Sequence, residues 1–179
     1  IFVGSVMQLV AFSAVQAASG HRSDIRTISV MAHAVGALVF VDGSQLVGAL
    51  PVGDLADVDV LTTADHKFLL HAGRGMGYCY FSPAAQERFV PIGAGWRAGR
   101  VPFESFFGPA MNLSTTASRF DASISWVAAV GNTAALSVFE EFGRDAVYTR
   151  NRALVERLRG AVAAAGWSPV SAPGGTGST

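Results

Sequence analysis

In the first third of the chain the apolar residues gather into short unbroken runs instead of alternating with polar ones. Leu9-Val10-Ala11-Phe12-Ser13, Leu38-Val39-Phe40-Val41 and Val58-Asp59-Val60-Leu61-Thr62 are each of strand length. Continuous runs of this kind belong to strands covered on both faces, as in a parallel sheet. Between the first two, Ser23-Asp24 offers an N-cap for a helix from Ile25 to Val35, and Gly36 stops it. Strand, helix, strand, connector and strand at these spacings predict βαβ units with right-handed crossovers, and so an α/β fold.

Beyond residue 67 the pattern changes. Gly73-Arg74-Gly75-Met76-Gly77 is a turn-rich loop, and Tyr78-Cys79-Tyr80-Phe81 a short aromatic strand expected to run antiparallel to the others. Pro83 to Glu87 reads as a helical turn, and Pro91 to Pro109 as an ordered loop. Trp126 to Phe142 has helical spacing ended by Gly143, and Asp145 to Ala165 is a long amphipathic helix. The Gly, Ser and Thr residues from 174 to 179 predict a disordered tail. At the other end, no basic residue precedes the apolar stretch Ile1 to Ala18, so a buried strand fits it better than a signal peptide. Ser5, Gln8, Ser13 and Gln16 interrupt it too often for a membrane-spanning helix.

Composition narrows the functional classes. A chain of 179 residues, half of them apolar and 15% charged, is long enough to bury a core and too apolar to be disordered. Thirteen basic side chains balance thirteen acidic ones, which removes any electrostatic case for a nucleic-acid or acidic-membrane partner. The single cysteine, Cys79, excludes an internal disulfide and fits a reducing cytoplasm. Within an apolar strand it is expected to be a buried, inert thiol.

Two strand ends carry candidate chemistry. Asp42 closes the second apolar run, and Lys67 follows the third inside Ala64-Asp65-His66-Lys67. In open α/β sheets ligands bind beyond the carboxyl ends of the strands, where both residues fall. An amine can form a Schiff base with an aldehyde cofactor, and a carboxylate can hold a pyridine nitrogen protonated. Lys67 is the chain's only lysine, since every other basic residue apart from histidine is arginine, which cannot do this chemistry. Gln45 can hydrogen-bond a phenolic oxygen, and His66 can touch a phosphate or steer the lysine; each alone is as readily a turn residue or a structural histidine. His21, His33 and His71 lack metal-ligand spacing, so no metal site is read. Gly73-x-Gly75-x-Gly77 precedes a strand rather than a helix, which favours a tight turn over a nucleotide cradle. Arg119-Phe120-Asp121 offers an arginine–carboxylate pair that could brace a loop.

The stretch from Ala32-His33-Ala34 through Val41-Asp42-Gly43-Ser44-Gln45, Gly48-Ala49-Leu50-Pro51 and His66-Lys67 to Gly73-Arg74-Gly75-Met76-Gly77 resembles the class V aminotransferase group of fold-type I pyridoxal phosphate (PLP) enzymes. That group also holds cysteine desulfurases. The resemblance implies a three-layer α/β/α fold with a mostly parallel sheet, part of the PLP-binding large domain, followed by long helices. It implies PLP as cofactor, an amino acid as substrate, and a homodimer in the full-length protein, with neither nucleic acid nor membrane as partner. By the same resemblance Lys67 carries the cofactor aldehyde, Asp42 pairs with its ring nitrogen, Gln45 lies at its phenolic oxygen and His66 near its phosphate.

The chain departs from the family pattern at two places. Ala64 stands where the family often has a phosphate-binding serine, leaving Thr62 or Thr63 as a substitute, only one of which strand alternation lets face the site. Ala122-Ser123-Ile124 follows Asp121 where the family commonly reads Ala-Gly-Thr, whose threonine reaches the partner subunit's phosphate; Ser123 or Ser125 would have to replace it. The expected organisation is 1–143 as part of the large domain, 144–170 as a helix leading into a truncated small domain, and 171–179 as tail. The rival reading is a non-catalytic remnant of the fold used for dimerisation.

Overall fold

A computed structural model describes residues 8–71, 73–108 and 111–168. The expected tail lies outside them. Four strands form one sheet in the order β1-β2-β3-β4: β1 (Leu9–Ser13), β2 (Leu38–Asp42), β3 (Val60–Ala64) and β4 (Gly77–Phe81). The first three are parallel, and β4 is antiparallel to β3. This is the mostly parallel sheet expected, with its antiparallel aromatic edge.

Helix α1 (Ile25–Ala34) joins β1 to β2. The Asp24 carboxylate accepts from Thr27 N at 3.0 Å and so caps the first turn, as its position before the apolar run requires. Val39, Val41 and Leu61 are buried on one face of the sheet with Ala32 of α1, and Leu46 and Val58 complete that core. Fully burying a valine or leucine of this kind is worth roughly 1.5–3 kcal/mol, so this face drives the fold.

β3 departs from its expected position. It begins two residues late, at Val60, and reaches Ala64. Val58 N instead closes a turn onto Leu55 O at 3.0 Å, and pairing of Thr63 with Tyr78 and Ala64 with Gly77 draws the strand onward. The acidic residue at the start of this segment, Asp59, is a hub. Its Oδ2 accepts from Val39 N at 2.8 Å and meets His33 Nε2 at 2.8 Å, and its Oδ1 accepts from Ser82 Oγ at 3.2 Å.

After β4, Ser82 caps the short helix α2 (Pro83–Arg88). The loop expected over Pro91–Pro109 contains 3-10 turns at Trp96–Ala98 and Pro102–Ser105, where the Trp96 ring packs on Phe103 and Phe106. Trp96 thus serves to fold the loop; Pro109 lies outside the described residues. Helices α3 (Trp126–Phe142) and α4 (Arg144–Ala164) follow, divided by Gly143 at φ 79°. No helix among the described residues is long and apolar enough to cross a membrane.

Candidate active site

The sheet register lines up four side chains from four strands. Ser13 is opposite Asp42, Asp42 opposite Thr62, and Thr62 opposite Cys79. Residues in register share a face of the sheet, at a strand spacing of about 4.8 Å. Thr62 therefore shares the face of Asp42, and Thr63 points to the other, where its buried Oγ1 has no hydrogen-bond partner among the described residues. Of the two threonines that the sequence left open, Thr62 is thus the one on the side of Asp42.

Asp42 is pinned by its neighbours. Its carbonyl accepts from Ala14 N at 2.9 Å, and Gly43 N donates to Thr62 O at 2.7 Å. Ser44 N donates to Oδ1 at 2.9 Å, and the other carboxylate oxygen has no partner among the described residues. The chain then turns, with Leu46 N and Val47 N both donating to Gly43 O at 2.9 Å. Leu46 is fully buried and anchors this turn, which leaves the neighbouring Gln45 half-buried with its amide unengaged among the described residues.

Lys67 sits three residues beyond β3 on a closed loop. His71 N donates to Asp65 O at 3.3 Å and Leu70 N to Lys67 O at 3.2 Å, with Leu70 at φ 66°. Leu69 is buried beneath the loop, while Lys67 is exposed and its amine has no partner among the described residues. This loop and the Asp42 turn meet at Gly48, which has φ 90° and lies directly against the Phe68 carbonyl, where a Cβ would collide. Packing at a glycine thus joins the segment carrying the acid to the segment carrying the amine.

A cavity of about 420 Å³ opens beside the loop, with His66, Arg74, Cys79, Phe120, Asp121 and Ser123 in its wall. Ser123 lines it, whereas Ser125 caps α3 by accepting from Ala128 N at 3.3 Å. Burial raises the Asp121 carboxyl above its ordinary value, and the nearby Arg97 partly opposes this. The expected brace between Arg119 and a carboxylate is not formed among the described residues. The Arg119 guanidinium lies 5.9 Å from the centre of the Phe120 ring, and its buried Nε has no hydrogen-bond partner among the described residues. Cys79 also departs from expectation, because it is exposed on the last strand of the sheet. A second cavity, about 400 Å³, lies between the Val47–Gly53 segment and helices α3 and α4; Gly48 and Leu69 are in its wall, and Asp42, Gln45, His66 and Lys67 are not.

Polar residues that the sequence reading did not put forward as site residues are Ser13, Asp65, His71 and Arg74. Asp65 and His71 had a visible signal, an acid two residues before the lysine and a histidine four after it, but nothing in the sequence shows that they meet.

Residues 3–169 match the family described as Aminotransferase class-V. The chain belongs to the class V aminotransferase family. That family uses PLP. The chain is 34% identical over 107 residues to a cysteine desulfurase from Rhodobacter capsulatus, a match that covers 56% of this chain and 27% of that protein. Its fold is similar to that of a cysteine desulfurase from Thermococcus onnurineus, with a TM-score of 0.69 at 22% identity, over 88% of this chain and 38% of that one. An alanine–glyoxylate aminotransferase from Nostoc sp. gives 0.67 at 19% identity, over 89% and 41%. The class V chain thus spans about two fifths of these solved structures and about a quarter of the curated relative's length.

The residues present suit the cofactor. A half-free carboxylate, an unengaged amide, an unpartnered amine and a cavity holding imidazole, guanidinium and hydroxyl groups match a pyridine nitrogen, a phenolic oxygen, an aldehyde and a phosphate respectively.

Proposed function

We propose that this chain forms the lysine-bearing part of a PLP-dependent transferase or lyase acting on an amino acid. The observation that supports it best is the junction at Gly48, which packs the Asp42 turn against the Lys67 loop in a chain of this family. Bound PLP supplies an aldehyde and an electron-withdrawing ring that makes the substrate Cα proton removable. The Lys67 amine would hold the cofactor at its aldehyde carbon and, once free, would be the base that takes and returns the proton at the substrate Cα. Asp42, with one oxygen committed to Ser44 N, holds the proton of the ring nitrogen with the other. Gln45 donates to the phenolic oxygen, and His66 stands at the phosphate together with Arg74 and Ser123.

The same reading makes residues 1–143 part of the PLP-binding large domain and 144–170 the lead into a smaller one. It also makes the whole protein a cytoplasmic homodimer. The single cysteine supports the reducing compartment, and the family pattern in which the segment after Asp121 reaches the partner subunit supports the homodimer.

Incubation with PLP followed by borohydride reduction tests the proposal. Wild-type chain should gain the mass of one reduced cofactor on the peptide containing Lys67, and Lys67→Ala should lower labelling by about 100-fold or more, since no other lysine is present. Equal labelling of the two would sink the proposal.

A further inference from the structure

Asp65 is a buried acid to which the proposed cofactor contacts give no role. Its side chain is fully buried, and neither carboxylate oxygen has a hydrogen-bond partner among the described residues. A buried carboxyl without a donor is among the costliest groups to bury, so its presence one residue from a site histidine needs a reason.

Two imidazoles flank it, with His66 Nδ1 3.8 Å from Oδ1 and His71 Nδ1 3.7 Å from Oδ2. They are not equivalent. His71 Nδ1 is already 2.7 Å from Gly73 O and 2.9 Å from Gly73 N, and its Nε2 lies under α3, where a Cβ on Gly131 would come within 2.8 Å. Backbone holds that ring on both sides. His66 has no hydrogen-bond partner among the described residues, and 27% of its side chain is exposed, in the cavity wall with Arg74 and Ser123. A displacement of about 1 Å brings its Nδ1 to hydrogen-bond distance of Asp65.

We propose that Asp65 is a positioning residue whose buried carboxylate accepts from His66 Nδ1–H and so turns His66 Nε2 toward an anion in the cavity. The hydrogen bond at one ring nitrogen decides what the other presents. With Nδ1–H held inward, Nε2 is the ring nitrogen presented to the anion. Arg74, Cys79 and Asp121 are the other titratable groups at the cavity, and His71 lies behind Asp65. The identity of the anion as the cofactor's phosphate rests on the proposed function; the Asp65–His66 pairing does not.

The test uses the full chain, labelled with ¹⁵N and free of cofactor, and reads the histidine ring nitrogens by long-range ¹H–¹⁵N correlation above neutral pH. His66→Gln assigns the signal. The expected result is an Nδ1–H ring for His66 in the wild type and in Asp65→Asn, which keeps an acceptor, and a switch to Nε2–H in Asp65→Leu, which has none. A wild-type His66 already in the Nε2–H form overturns the pairing, even if the leucine variant does not fold, as does a folded Asp65→Leu that leaves the ring unchanged. A second arm compares PLP with pyridoxal, which lacks the phosphate. Asp65→Asn should weaken PLP uptake about tenfold, in the range of one charge-assisted hydrogen bond, and leave pyridoxal unaffected. Equal effects on both overturn the link to the anion. Failure of the wild type to take up either compound overturns the cofactor reading and leaves the ring spectra to decide the pairing.

Discussion

At the residue scale, identity and strand-end position were legible, while exposure was not. Asp42 and Lys67 stand out in the sequence because each follows an apolar run; the structure makes Asp42 the last residue of β2, one position earlier than expected, and places Lys67 three residues beyond β3. Cys79 misled because an apolar neighbourhood in sequence suggests burial, whereas β4 is an edge strand with only β3 beside it. The strand still shields the thiol enough that desolvation raises its pKa from an ordinary 9.0 to about 11. The raised pKa means that the neutral thiol is favoured in the fold, a contribution intact below pH 9 and lost as pH climbs toward 11. Cys79 should therefore alkylate about 100-fold more slowly at pH 8 than an unperturbed thiol, because its thiolate fraction falls by that factor. The iodoacetamide rate should keep rising up to about pH 11; a plateau near pH 9 would contradict the shift.

At the element scale, α1 and α3 were readable from a cap, spacing and a stop, because Asp24 marks the start of α1 and Gly143 the end of α3 in the sequence itself, whereas the Ser125 cap emerged only in the structure. The shift of β3 was not readable, since its end is drawn out by pairing with β4, a partner that only the fold supplies. The Gly48 junction belongs to this scale as well. Gly48→Ala adds both a strained φ and a collision with the Phe68 carbonyl, whereas Gly53, at φ 82°, has open space around it. Gly53→Ala should cost about 1 kcal/mol from backbone conformation alone. Gly48→Ala should exceed this in urea unfolding and also reduce borohydride-trapped PLP on Lys67. Equal costs for the two would remove Gly48 as the joint between the acid and the amine.

At the scale of the whole molecule, Asp59 ties α1, β2 and the entry to α2 onto the start of β3. Removing a buried carboxylate with three partners leaves Val39 N–H and the His33 ring without their acceptor. Asp59→Ala should lower stability by about 3 kcal/mol, read as a fall in the urea midpoint with an unchanged slope. A loss under about 1 kcal/mol would show that these elements are held by the apolar core alone. Away from that core the surface is unusually apolar: Ile92, Phe107, Val127 and Trp126 are each more than three-quarters exposed, and α4 buries none of its residues.

The sequence by itself determined the fold class, the family and the helix limits to within a residue, and it nominated the side chains proposed to hold PLP. These depend on residue type and local spacing, which govern strand and helix formation and what each functional group can do. Only the tertiary structure decided that Thr62 rather than Thr63 shares the face of Asp42, that the lysine loop rests on Gly48, and that Asp65 lies buried between two imidazoles. Each of these depends on which distant backbone or ring comes to lie beside a given atom. That follows from sheet register and from how α3 is seated, and no local pattern encodes it.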